Sequence, residues 1–119
     1  MGRAATHAIK APKAATAAQC RALEQLPNVG PAMAADLRLL GIAEPQALQG
    51  RDGLQLYLEL CRRTGQRHDP CVLDTLLAVV DFMHGAAPAP WWAYTAERKR
   101  RVGQVPADFA GGPPLNPGP

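Results

Sequence analysis

The sequence is poor in aromatic residues, which make up only 5% of its 119 positions. A core must therefore be built from Leu, Val, Met and Ala. No apolar run approaches the ~20 residues that a membrane-spanning helix needs, so the chain reads as soluble, without a membrane partner. The three cysteines, Cys20, Cys61 and Cys71, are odd in number and lack CxxC spacing. That argues against a disulfide framework, fits a reducing cytoplasm and provides no close ligand pairs for a metal. Residues 1–20 contain no continuous apolar stretch of the secretory type. No segment alternates apolar and polar residues with the period of a strand. One domain is all this length accommodates, which leaves no space for a separate cofactor-binding domain. We therefore expect neither cofactor nor metal.

What is present in quantity is proline and glycine, and positive charge at the two ends. Residues 1–21 hold Arg3, Lys10, Lys13 and Arg21 and no acid, and residues 98–101 read Arg-Lys-Arg-Arg. Between Ala22 and Glu97, five basic side chains face nine acidic ones, a balance of −4. Basic ends on a mildly acidic body suit a polyanion such as nucleic acid, or simply solvated termini. Residues 1–15 show no periodicity, and residues 103–119 contain five Pro and four Gly. Neither end buries enough apolar surface to offset the entropy of ordering it. The expected organisation is a disordered arm over 1–15, a folded domain over 16–101 and a disordered tail over 102–119.

Inside that domain the punctuation is helical. Thr16 is placed to cap a first helix carrying Cys20, Leu23 and Leu26, ended by Pro27. Pro31 suits the first position of a second helix, where its missing N–H costs nothing; Met33, Leu37 and Leu40 share one side of it, and Gly41 closes it. Glu44-Pro45 starts a short turn with Leu48. Asp52 caps a further helix with Leu54, Tyr57, Leu58 and Cys61 on its buried stripe. Asp69-Pro70 opens another, with Val72, Leu73, Leu76, Leu77, Val80 and Met83 facing inward and Asp74 and Asp81 facing out. Thr95 is placed to cap a last helix over 96–101. The expected fold is all-α, five or six short helices around one small core.

The most specific stretch is Leu23-x-x-Leu26-Pro27-Asn28-Val29-Gly30-Pro31-x-x-Ala34-x-x-Leu37. Ala34 is small enough for two helices to cross closely, Val29 plugs the turn into the core, and Gly30 leaves the backbone unrestricted. Such a turn presents a helix N-terminus with unsatisfied amides, which attracts phosphate. The stretch resembles the helix-hairpin-helix motif, usually L-x-x-L-P-G-[IV]-G-x-x-x-A. Asn28 replaces the first glycine; asparagine tolerates the left-handed region, although its side chain could crowd a phosphate.

Leu26–Ile42, Gly50–Tyr57, Arg67-His68-Asp69-Pro70-Cys71-Val72-Leu73-Asp74 and Trp91-Trp92-x-Tyr94 together resemble a small bacterial family labelled mitomycin resistance or pathogenicity-locus proteins. The resemblance spans about residues 20–101. It implies a helix-hairpin-helix (SAM-like) fold and a link to DNA, whether DNA repair or resistance to DNA damage, without implying a reaction. The same Leu-Pro-Asn-hydrophobic-Gly-Pro hairpin is similar to one in the C-terminal domain of competence-regulator-like proteins.

These readings give a candidate phosphate site of Asn28, Val29 and Gly30 with the amides of Ala32 and Met33. Arg38, Arg98, Lys99, Arg100 and Arg101 would add charge. Arg67, Trp91 and Trp92 form a candidate interaction surface: a double Trp can stack on bases, bind a partner or fold back over the core. Cys71 at a helix start beside His68 has the outline of an activated thiol, because a helix N-terminus lowers a thiol's pKa. With no third group to orient His68, a plain cap and a core cysteine are the simpler reading. Asp52 stands 22 residues after Gly30, as a catalytic Asp does in hairpin-bearing glycosylases, but its context is a helix start, and no second domain exists to hold a flipped base. The expected function is a non-enzymatic module binding the DNA backbone without sequence preference. The rival is a protein–protein adaptor or homodimer using Trp91 and Trp92.

Overall fold

A computed structural model describes residues 13–102 of the chain. Residues 1–12 and 103–119, most of the expected arm and tail, lie outside the described residues. Four α-helices run through the rest: α1 (Pro31–Leu39), α2 (Gly53–Thr64), α3 (Pro70–Met83) and α4 (Thr95–Val102). Four short 3-10 turns accompany them, at Ala17–Gln19, Leu23–Gln25, Pro45–Leu48 and Trp91–Tyr94, and no strand occurs among the described residues. The class is all-α as expected, but the α-helices number four rather than five or six.

The missing helix is the first. Cys20 and Ala22 are extended between two 3-10 turns, and Thr16 makes no side-chain cap bond. The reason lies in the spacing of the apolar residues. Cys20, Leu23 and Leu26, all buried, recur every third position, the period of a 3-10 helix rather than an α-helix. Side chains from elsewhere hold the break open. The Gln25 carboxamide oxygen accepts from the amides of Arg21 (2.8 Å) and Ala22 (2.9 Å), and Gln46 donates to the Cys20 carbonyl at 2.9 Å. Ahead of these turns the Ala14 amide donates to Gln25 O at 2.8 Å, and Ala14 is buried.

The later boundaries follow local rules. Pro31 and Pro70 occupy first helical positions, Asp52 accepts from the Gln55 amide, and Asp69 accepts from the Cys71 amide. Gly41, Gly50, Gly65 and Gly85 all adopt positive φ where a helix or turn ends.

α3 is the axis of the molecule. Every residue from Leu73 to Val80 is buried, so this helix has no solvent face over two turns. It packs against α2, α4 and the turns at Pro45–Leu48 and Trp91–Tyr94. Asp74 therefore does not face out, as a one-sided helix would have required; it is fully buried, whereas Asp81 is exposed as expected. The Thr95 hydroxyl, expected to cap α4, instead donates to Asp74 at 2.9 Å, and Arg98 Nε bonds the same carboxylate at 3.0 Å.

The start of α2 approaches α3 so closely that a Cβ on Gly53 would lie 2.9 Å from both Cα and N of Leu77. Backbone cannot give way there as a flexible side chain can. We expect Gly53→Ala to destabilise the fold by about 1–3 kcal/mol through overpacking, measured by thermal or urea unfolding. A variant as stable as the parent would show that the α2–α3 approach is not tight.

Candidate functional site

The turn before α1 is built around two residues with different roles. Asn28, φ 70°, is the only non-glycine residue with positive φ among the described residues. Its carboxamide donates to Ala89 O at 2.9 Å and accepts from the Trp91 amide at 3.3 Å. The side chain is thus engaged by the 89–91 segment and fastens the turn to a part of the chain 61–63 residues away. A glycine would make the same bend without the fastening.

Gly30 is not the strained position. Its backbone is extended (φ −101°, ψ −169°), and it forms the N-cap of α1. A Cβ placed on it would meet nothing within 4 Å. Among the described residues, no protein acceptor meets the amides of Gly30, Ala32 or Met33. Ala32 is exposed, and Met33 is half-buried against the core. Val29, by contrast, is fully buried, and its amide donates to Leu26 O at 3.2 Å. Val29 therefore holds the turn in the core and offers no donor to a ligand. Lys13, absent from the sequence-based site, donates to the carbonyls of Val29 and Glu24, bringing an ammonium to the back of the turn. No motif or periodicity marks Lys13, because it reaches the turn from a separate segment. An open groove of about 320 Å³ runs beside it, lined by Lys13, Pro27, Asn28, Pro88, Ala89 and Pro90.

The basic run 98–101 divides in two. Arg98 and Arg101, three apart on a helix, share a face. Arg98 is 11% exposed and pairs with the buried Asp74; Arg101 bonds Asp52 at 2.7 Å and lies 3.6 Å from Glu97. Burial alone would raise the Asp52 carboxyl's pKa, but hydrogen bonds from Arg101 and from the Gln55 amide hold it below the usual carboxylate range. Arg98 and Arg101 are thus structural cations, whereas Lys99 and Arg100 remain exposed, as does Arg38 at the end of α1.

The remaining candidates separate further. Trp91 is half-buried and Trp92 is 63% exposed, their rings edge to face at 5.5 Å. Tyr94, which follows in the same turn, packs against the core. Its phenol is pushed up to about 12 by burial and a hydrogen bond to Asp81. Arg67 is half-buried near Tyr57. Beside it the His68 carbonyl accepts from the Tyr57 hydroxyl, and the His68 ring meets Thr64 Oγ1 at 2.9 Å. Burial, followed by the neighbouring Asp69, pushes the Cys71 thiol up to about 11. Burial and a neighbouring carboxylate thus act on this sulfur against the helix N-terminus, in line with the simpler reading of Asp69 as a plain cap. No group of three His, Cys, Asp or Glu residues able to hold a metal ion occurs among the described residues. None of their helices is long and apolar enough to cross a membrane.

The described residues form an all-α domain in which the Trp91–Tyr94 turn packs on the central helix α3 and Arg67–Asp69 lead into that helix. The pathogenicity locus family, Cdd1, matches residues 16–100, and the chain belongs to it. The chain is 43% identical over 90 residues to the mitomycin resistance protein McrB of Streptomyces lavendulae, a match covering 76% of this chain and 86% of that protein. No solved structure matches.

Two outcomes follow from the geometry. Arg98→Ala leaves Asp74 buried without its counter-ion and should destabilise the domain by about 3–5 kcal/mol, whereas Lys99→Ala and Arg100→Ala should stay within about 0.5 kcal/mol of the parent. Chemical denaturation of the three variants checks this. Asn28→Gly keeps the bend but releases the 89–91 segment. We expect a loss of about 1 kcal/mol together with red-shifted tryptophan emission in the folded state, and unchanged emission would show that the fastening does not hold Trp91.

Proposed function

We propose that this chain is a helix-hairpin-helix module that grips the DNA backbone without sequence preference, working in the cytoplasm and catalysing no reaction. We assign it to resistance against DNA damage of the kind mitomycin causes, on the strength of its similarity to McrB. The observation that carries the DNA reading is the open N-terminus of α1. The amides of Gly30, Ala32 and Met33 meet no protein acceptor among the described residues, the space beside the Gly30 Cα is open, and the Asn28 and Val29 side chains are engaged with the 89–91 segment and the core. A helix N-terminus concentrates partial positive charge and donor hydrogens, which suits a phosphate oxygen. In this reading the hairpin's first arm is a pair of 3-10 turns rather than an α-helix. Its auxiliary cations are Arg38, Lys99 and Arg100; Arg98 and Arg101 hold the fold. Without base-reading elements beside the turn, contacts to phosphate give affinity and no sequence information.

A second reading, a non-enzymatic adaptor or homodimer using Trp91 and Trp92, draws on the exposure of Trp92 and the acidic body between residues 22 and 97. Sedimentation of the parent and of Trp92→Ala at micromolar concentration separates the two readings. A dimer dissolved by the substitution favours this one.

For the DNA reading, binding to a duplex at two salt concentrations is the decisive measurement. Each phosphate neutralised contributes about 0.9 to the salt slope on duplex DNA, so Lys99→Ala/Arg100→Ala should reduce the slope by up to about 1.8. Gly30→Glu fits the extended backbone and sets a carboxylate where the phosphate would sit, and it should weaken binding about tenfold or more. No binding at low salt, or unchanged binding by a folded Gly30→Glu protein, overturns the proposal.

A further inference from the structure

The hairpin and the double Trp are not separate features. Asn28 bonds both the carbonyl of Ala89 and the amide of Trp91, so the residue that shapes the turn before α1 also fixes where the Trp pair begins. The shallow, open groove of about 320 Å³ is lined by Lys13, Pro27 and Asn28 from the hairpin end and by Pro88, Ala89 and Pro90 from the segment that leads into the Trp pair. Trp91 follows directly on the last of these. Trp92 is one of two large apolar side chains exposed among the described residues, Leu39 being the other. It is nevertheless held in place. Trp91 meets it edge to face at 85°, and both belong to a turn whose Tyr94 packs on the core. A large ring presented to solvent from a fixed backbone loses little conformational freedom when a flat ligand covers it.

We propose that this composite surface takes single-stranded nucleic acid, with an unpaired base stacked on the face of Trp92 and the strand running along the proline-walled groove toward the turn before α1. The inference rests on the DNA reading above and narrows its substrate from any backbone to an unpaired strand. Charge complementarity selects the occupant. Lys99 and Arg100 are exposed on α4, the helix that directly follows the Trp turn, while the Lys13 ammonium is engaged by the Val29 and Glu24 carbonyls and lends the groove only its stem. A neutral or acidic flank would instead suit an apolar peptide. Paired bases hide their faces within the stack, so an aromatic platform discriminates between strands in a way that amides at a helix end cannot. Asn at the first hairpin position acquires a purpose here: it holds the platform in register with the phosphate site.

The test compares a short single-stranded oligothymidylate with a duplex of the same length, using parent, Trp92→Ala, Trp92→Phe and Gly30→Glu proteins whose folding is verified by circular dichroism. Stacking on one aromatic side chain is worth about 5- to 150-fold in affinity per base. We expect Trp92→Ala to lose at least about fivefold on the oligothymidylate, at the lower end of that range, with the salt slope and duplex affinity unchanged. Trp92→Phe should retain most of the binding. The parent's tryptophan emission should be quenched by the single strand and not by the duplex. Gly30→Glu should weaken both ligands, which separates the platform from the phosphate site. Equal losses on both ligands, or no loss on either, overturn the platform while leaving the hairpin reading intact. Failure of the parent protein to bind either ligand overturns both. A change in sedimentation of the free protein on Trp92→Ala would assign the ring to a protein interface and overturn the platform.

Discussion

Asp74 sits without solvent contact in the middle of α3, and the arrangement of the C-terminal half follows from that carboxylate. A charge buried alone costs several kcal/mol, and water cannot reach this one. The compensation comes from α4: the Thr95 hydroxyl and the Arg98 guanidinium both close on it. Because Thr95 is also the first residue of α4, satisfying Asp74 fixes where that helix starts and how it lies on α3. Arg101, one turn on, then reaches the N-cap Asp52 of α2. Two ion pairs thereby join three helices whose apolar faces alone would specify contact but not register.

That arrangement determines which charges remain for a ligand. The basic run at the end of α4 reads in sequence as four equivalent cations. In the fold, two of them neutralise carboxylates of the domain itself, and two remain exposed. The acidic body is likewise less repellent to a polyanion than its formal balance suggests, since Asp74 and Asp52 are matched internally. A reading that counted charge along the chain would overstate both the basic run and the acidic body.

Asn28 plays the same part at the other end of the molecule. A left-handed bend can be made by glycine at no steric cost, so a residue with a side chain at this position needs a reason. The reason is the pair of hydrogen bonds to Ala89 and Trp91. They hold the linker after α3 against the turn, so the Trp pair and the N-terminus of α1 are presented from one rigid unit. The match to the pathogenicity locus family covers both segments, running from the first 3-10 turn through the Trp segment and into α4.

Helix starts and stops were readable because they depend on one or two neighbouring residues: proline at a first position, aspartate at a cap, glycine at positive φ. Pro31, Asp52, Asp69, Pro70, Gly41 and Gly65 therefore stand where local rules put them. The first segment was misread because Leu23 and Leu26 fit an α-period loosely, while Cys20 completes a period of three that favours tighter turns. A helix N-terminus leaves its first amides without intrahelical partners, and those of Ala32 and Met33 meet no protein acceptor among the described residues, whereas Leu26 O takes the amide of Val29.

What the chain's order of residues determined alone was thus an all-α domain and its later helix limits. Tertiary structure decided the direction of Asp74, the occupation of Arg98 and Arg101, the placement of Lys13 and the fastening role of Asn28. Each of these depends on partners 11 to 63 residues away. The physical reason is range. Backbone preferences act within a single turn, whereas a buried charge or a side-chain amide is satisfied only by whatever the packed core brings to it.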